Sequence, residues 1–142
     1  MPKTFNNILV PIDFSEDADR AVEACLELFG DKAESIKLLT VCESRGNRHT
    51  EMLPEIDEVM EQTVNDKIIA FAKNYEGRHK NLKAYIKNGQ PASQILSVAK
   101  EMEVDLIVMG SQGRNSLARV LFGSTTYEVS RKAHCSVFVV RP

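Results

Sequence analysis

Short apolar runs spaced by helix-sized segments constrain this chain more than any other feature. Asn7-Ile8-Leu9-Val10-Pro11-Ile12 is the first, closed by Asp13 and Ser15. Such a run, rich in branched residues and lacking polar alternation, is what a strand buried on both faces requires. Asp105-Leu106-Ile107-Val108-Met109, ended by Gly110, repeats the pattern late in the chain. Ile36 to Cys42 reads as a second strand, Leu82 to Lys87 as a third with an Asn88-Gly89 turn after it, and Val137 to Val140 as a fifth.

Between these runs the apolar spacing becomes helical. Ser15 can cap a helix with Glu16 and Asp17 in its first turn, Ala18, Ala21, Val22, Cys25 and Leu28 on its inner stripe, and Gly30 as its stop. From Pro54 the longest stripe runs through Ile56, Val59, Met60, Thr63, Val64, Ile68, Phe71, Ala72 and Tyr75, stopped by Gly77. Pro91 opens a third helix with Ile95, Leu96, Val98, Ala99 and Met102 inward, and a fourth runs through Thr125 to Ala133. Parallel strands need long, usually helical crossovers of one hand. The order therefore predicts an α/β fold, an open five-stranded parallel sheet with helices on both faces. Ligands of such sheets bind beyond the strand carboxyl ends where strand order reverses, so the loops after Ile12, Val41 and Met109 are the places to search.

At 142 residues the chain makes one domain, 1–142, and its 43% hydrophobic and 27% charged composition excludes disordered and collagen-like classes. Eighteen basic against twenty acidic residues leave a net charge of −2 and no global field to hold nucleic acid. Cys25, Cys42 and Cys135 form no CxxC pair and read as buried, reduced thiols. The apolar run near the start is too short for a signal core or a membrane span, so the expected location is cytoplasmic.

The most informative stretch follows the fourth strand. Gly110-Ser111-Gln112-Gly113-Arg114 is joined through nine residues, Arg114 to Phe122 inclusive, to Gly123-Ser124-Thr125-Thr126. Glycines at 110 and 113 let backbone approach a ligand and can take positive φ, so successive amides can form an anion-binding concavity. Gly123 to Thr126 opens the fourth helix, where unpaired amides and the positive dipole end favour phosphate and three hydroxyls add donors. Taken singly, each half is also ordinary turn punctuation or helix capping; together, at the end of a buried strand, they point to a polyphosphate. The pattern is neither a Walker A loop nor a Rossmann GxGxxG.

On these residues the chain resembles the universal stress protein family over its whole length. Ile8 to Ser15, Asp105 to Gly110, the G-x2-G-x9-G-[ST] spacing at Gly110, Gly113, Gly123 and Ser124, and the closing Ala133 to Arg141 carry the resemblance. It implies a Rossmann-like fold of the adenine-nucleotide alpha hydrolase type, usually dimeric, and the glycine pattern implies a member that binds ATP, with Mg²⁺ accompanying it. It places Pro11, Ile12 and Asp13 against adenine and ribose, Val41 beside adenine, and Met109 and Gly110 on the ribose side. Gly113 and Arg114 would meet the phosphates, and Gly123, Ser124, Thr125 and Thr126 the terminal ones. A carboxylate suits sugar hydroxyls and repels phosphate, so Asp13 belongs at the sugar end; the other reading is a capping partner of Ser15. Arg114 reads either as a phosphate partner or as a solvated loop arginine. A stress role follows from the resemblance alone.

No catalyst is legible. GxSxG is absent because Ser111 directly follows Gly110, and His49, His79 and His134 are scattered without HExxH or a carboxylate cluster, which leaves no metal site. The SGGxDS loop of adenylating relatives has Pro11-Ile12-Asp13-Phe14-Ser15 in its place. Phosphate donors without an evident base leave slow ATP hydrolysis open. The expectation is an ATP-binding regulatory homodimer pairing through its C-terminal strand, unless that strand is central. The alternative is a nucleotide-independent interaction module recruiting an unknown protein partner through the loop at 43–53.

Overall fold

The computed structural model describes residues 4–43, 54–112 and 122–142, apart from the side chains of residues 54–61. Its elements run β1 (Asn7–Pro11), α1 (Glu16–Phe29), β2 (Ser35–Cys42), α2 (Pro54–Lys73), β3 (Leu82–Asn88), α3 (Pro91–Glu101), β4 (Leu106–Gly110), α4 (Ser124–Lys132) and β5 (Ser136–Val140). The strands form one sheet in the order β3-β2-β1-β4-β5, every neighbouring pair parallel. The chain thus builds outward from β1 through β2 to β3, returns, and builds the other way through β4 to β5. Strand order reverses between β1 and β4, and β5 is an edge rather than a central strand.

The continuous apolar runs fill both faces, as a parallel sheet between helices requires. Ile8, Val10, Ile36, Leu38, Leu106 and Val108 pack under α1 and α2, while Leu9, Leu39, Ile107 and Met109 pack under α3 and α4. Among the described side chains two stripe residues depart from expectation; those of Ile56, Val59 and Met60 lie outside them. Leu28 is 59% exposed because the inner stripe of α1 continues from Cys25 to Phe29, whose ring meets Phe5 and Phe138 edge-on. Thr63 is exposed because each helical residue turns about 100°, and the buried line of α2 passes through Ile68 and Phe71 toward Tyr75, just beyond the helix.

At the amino end of β1, the Asp105 carboxylate accepts from the amides of Asn6 and Asn7, and the Asn7 side-chain amide donates to Met102 O at 2.6 Å. These bonds fasten β1 to the start of β4 and fix the register of the two central strands. The three cysteines form no disulfide; Cys25 is buried, whereas Cys42 and Cys135 are only half-buried. No helix of the described residues is long and apolar enough to cross a membrane.

Candidate functional site

The reversal of strand order brings the carboxyl ends of β1 and β4 side by side, with that of β2 next to β1. Pro11, Ile12, Asp13, Val41, Met109 and Gly110 therefore gather at one end of the sheet. The start of α4 joins them through two bonds: Gly123 N donates to Ser111 O at 2.7 Å, and Thr126 Oγ1 donates to Gly110 O at 2.8 Å. The two halves of the glycine pattern that lie in the described residues are thus fastened to each other. Gly113 and Arg114, and the 43–53 loop beyond Glu43, lie outside the described residues.

Beyond β1, Ile12 N donates to Leu39 O at 2.8 Å and carries the ladder one residue further. Phe14 then takes a left-handed conformation, φ 65°, and lays its ring edge-on to Phe71 at 5.9 Å. That turn reverses the chain into α1. Asp13 Oδ1 accepts from the backbone amide of Ser15 at 3.1 Å and from its hydroxyl, while Ser15 Oγ accepts from Ala18 N at 3.3 Å. The capping role of Asp13 is therefore present in the fold, through the oxygen that holds Ser15.

Gly110 serves a contact that sequence reasoning missed. A Cβ built on it would lie 2.8 Å from Asp17 Cβ and 3.0 Å from Asp17 O, and its φ is not positive. The missing side chain admits the first turn of α1. Asp17, half-buried there, accepts from Gln112 N through Oδ2 at 3.0 Å and pairs with Arg20 through Oδ1. In the sequence Asp17 carries only the signal of an acidic first turn; nothing in its spacing connects it to a loop 95 residues away.

The amino end of α4 differs from those of α1 and α3. Ser15 and Gln90 cap the latter two with side chains, whereas Gly123 gives α4 no side-chain cap. The first-turn amides and positive dipole end are left for an acceptor that the described residues do not supply. Beside it lies the Ser111 hydroxyl, on a residue 1% exposed and without a hydrogen-bond partner among the described residues. Ser124 is exposed and Thr125 half-buried. Thr126 is 3% exposed and its hydroxyl donates to Gly110 O, so its side chain anchors the site, while its backbone amide belongs to the first turn of α4. Val41 packs against the α3 and α4 side of the core, giving the end of β2 an apolar wall.

The arrangement can bind an oxyanion with amides and hydroxyls next to an apolar strand-end wall. Among the described residues no group of three His, Cys, Asp or Glu side chains forms a metal site, and no base hydrogen-bonds to Ser111.

A sequence model of the universal stress protein family matches residues 4–141. The chain belongs to this family. Universal stress protein MJ0577 of Methanocaldococcus jannaschii is 32% identical over 99% of this chain and 98% of its own. Its solved structure has a TM-score of 0.88 at 31% identity, covering 99% of this chain and 98% of that one. Universal stress protein UspA from Lactobacillus plantarum gives a TM-score of 0.88 at 30% identity, over 99% of this chain and all of the other. The parallel α/β fold of this universal stress protein is thus the family's. Two structures at 18% identity share it, a universal stress protein in complex with cAMP, TM-score 0.72, and an Arabidopsis thaliana family member with AMP bound, TM-score 0.69.

Proposed function

We propose that this universal stress protein binds ATP at the carboxyl end of its sheet and acts as a nucleotide-dependent regulatory homodimer in a stress response. The observation that carries the reading is the amino end of α4, without a side-chain cap among the described residues, beside the buried Ser111 hydroxyl, which has no partner among them either. Phosphate is the natural acceptor for such a helix terminus. Pro11, Ile12 and Val41 offer the apolar wall a purine needs, and Asp13 suits the sugar hydroxyls. Met109 and Gly110 border the ribose, Gly113 and Arg114 the phosphates, and Gly123, Ser124 and Thr125 the terminal phosphates. The phosphates would carry Mg²⁺ as counter-ion, since no protein cluster for a divalent ion occurs among the described residues. The fold relatives that hold cAMP and AMP support the fold; the nucleotide comes to this chain through its own glycine pattern. The lack of a disulfide among Cys25, Cys42 and Cys135 suits a cytoplasmic location.

Isothermal titration of nucleotide-stripped protein with Mg-ATP tests the reading. Saturable binding is expected, and Ser124→Ala weakens it about tenfold, the loss of one charge-assisted hydrogen bond of roughly 1.5 kcal/mol. Absence of binding heat and of any ATP-dependent rise in melting temperature overturns it.

A further inference from the structure

At the opposite end of the sheet, by the amino ends of β2 and β3, a cavity of about 120 Å³ is lined by Ser35, Ile36, Lys37, Asn81, Lys83 and Tyr85. Lys37 and Lys83 are register partners on adjacent parallel strands, so their side chains leave the sheet on the same face. A lysine at position 83 has an ordinary explanation, because β3 is an edge strand and charge discourages edge pairing. Lys37 has none. It sits on an interior strand paired on both sides, directly opposite a like charge, an arrangement that destabilises a sheet.

The surrounding groups relieve that charge only in part. The Lys37 ammonium donates to Asn7 Oδ1 and to Ser35 Oγ, the latter at 2.8 Å, which commits two of its three hydrogens. Asp105 attracts it electrostatically while also accepting from the amides of Asn6 and Asn7. Neither lysine forms an ion pair among the described residues. Burial, and then the charge of Lys83, hold the Lys37 ammonium below the usual lysine range.

We infer that this cavity is a second anion site, taking one small tetrahedral oxyanion, the phosphate group of inorganic phosphate or of a phosphate monoester, between Lys37 and Lys83. Its volume is well below the roughly 300–1,000 Å³ of pockets that enclose drug-sized ligands, so it admits a single charged group. Two ammonium groups supply charge-assisted donors, and Asn81 and Tyr85 bring neutral polar groups to the same wall. The site stands apart from the glycine pattern and does not depend on nucleotide binding there.

Protein labelled with ¹³C at lysine Cε is titrated with sodium phosphate at fixed pH and ionic strength, with sodium chloride and sodium acetate as parallel arms. The expected result is a saturable shift of the Lys37 and Lys83 resonances with phosphate only, with affinity about tenfold weaker in Lys83→Gln, as for loss of a charge-assisted bond. Lys83→Gln lies on the exposed edge strand and keeps the test readable should Lys37→Gln not fold. Glycerol phosphate then separates the sources: binding as tight as phosphate assigns the site to a monoester, and exclusion assigns it to the free ion. Equal shifts with chloride or acetate, no shift with phosphate, or an unchanged affinity in Lys83→Gln overturns the inference. Mg-ATP binding measured on the same variant reports separately on the nucleotide end.

Discussion

Gly110 is a position where one hydrogen in place of a methyl group decides how two elements meet. Its absent Cβ faces the backbone of Asp17, which cannot swing aside as a long side chain could. Gly110→Ala is therefore expected to lower stability by about 1–3 kcal/mol, the usual range for overpacking, with a reduced urea midpoint at unchanged slope. Cys25 makes a different residue-scale case. Burial on the inner face of α1 pushes its thiol from 9.0 to about 12. Because the unfolded thiol ionises first, this contribution to stability is intact below pH 9.0 and is lost progressively as pH rises toward about 12. A thiol reagent at pH 8 should leave Cys25 unmodified in the native protein and label it once urea unfolds the chain; native labelling at the rate of a free thiol would contradict its burial.

At the scale of elements, α4 depends on tertiary ties more than on its own cap. Its amino end is seated by Gly123 N on Ser111 O and by Thr126 Oγ1 on Gly110 O. Thr126→Val keeps the shape and removes the second tie, leaving a carbonyl short of a donor; a loss of about 1–2 kcal/mol is expected in urea unfolding, together with weaker ATP binding. A variant as stable as the parent would mean that the tie contributes nothing. The existence and order of the nine elements of the described residues were legible because four strands are short apolar runs, β3 alternates before an Asn-Gly turn, and each helix is a stripe closed by glycine, proline or a capping serine. Side-chain orientation at the margins was less so. Leu28 and Thr63 satisfy a helical stripe on paper, yet the neighbours that claim the core, Phe29 and Ile68, do so through contacts with other elements.

At the scale of the molecule, topology makes the candidate site, and part of it was legible in advance. Glycine spacing and strand order located the end of the sheet, since both are local properties of the sequence. The contacts of Asp17 with Gln112 and of Thr126 with Gly110 join residues far apart in the chain, and no periodicity reports them. The same holds for β5, whose apolar pattern fits a centre or an edge equally well until the order β3-β2-β1-β4-β5 places it outermost. An outer parallel strand exposes unpaired backbone groups along one side and invites a second copy. Phe138 on this strand is 38% exposed, its ring edge-on to Phe29 at 5.6 Å, which gives such a contact an aromatic anchor. The parent is expected to sediment at twice the 15.9 kDa chain mass, and Phe138→Lys at the chain mass itself. Loss of an anchor of this kind is worth about 2 kcal/mol or more, roughly thirtyfold in dissociation constant. Because Phe138 is partly solvated in the single chain, the variant should keep its fold, which circular dichroism verifies. A parent that sediments as a monomer with and without Mg-ATP would remove the dimer, and a dimer that survives Phe138→Lys would place the interface elsewhere.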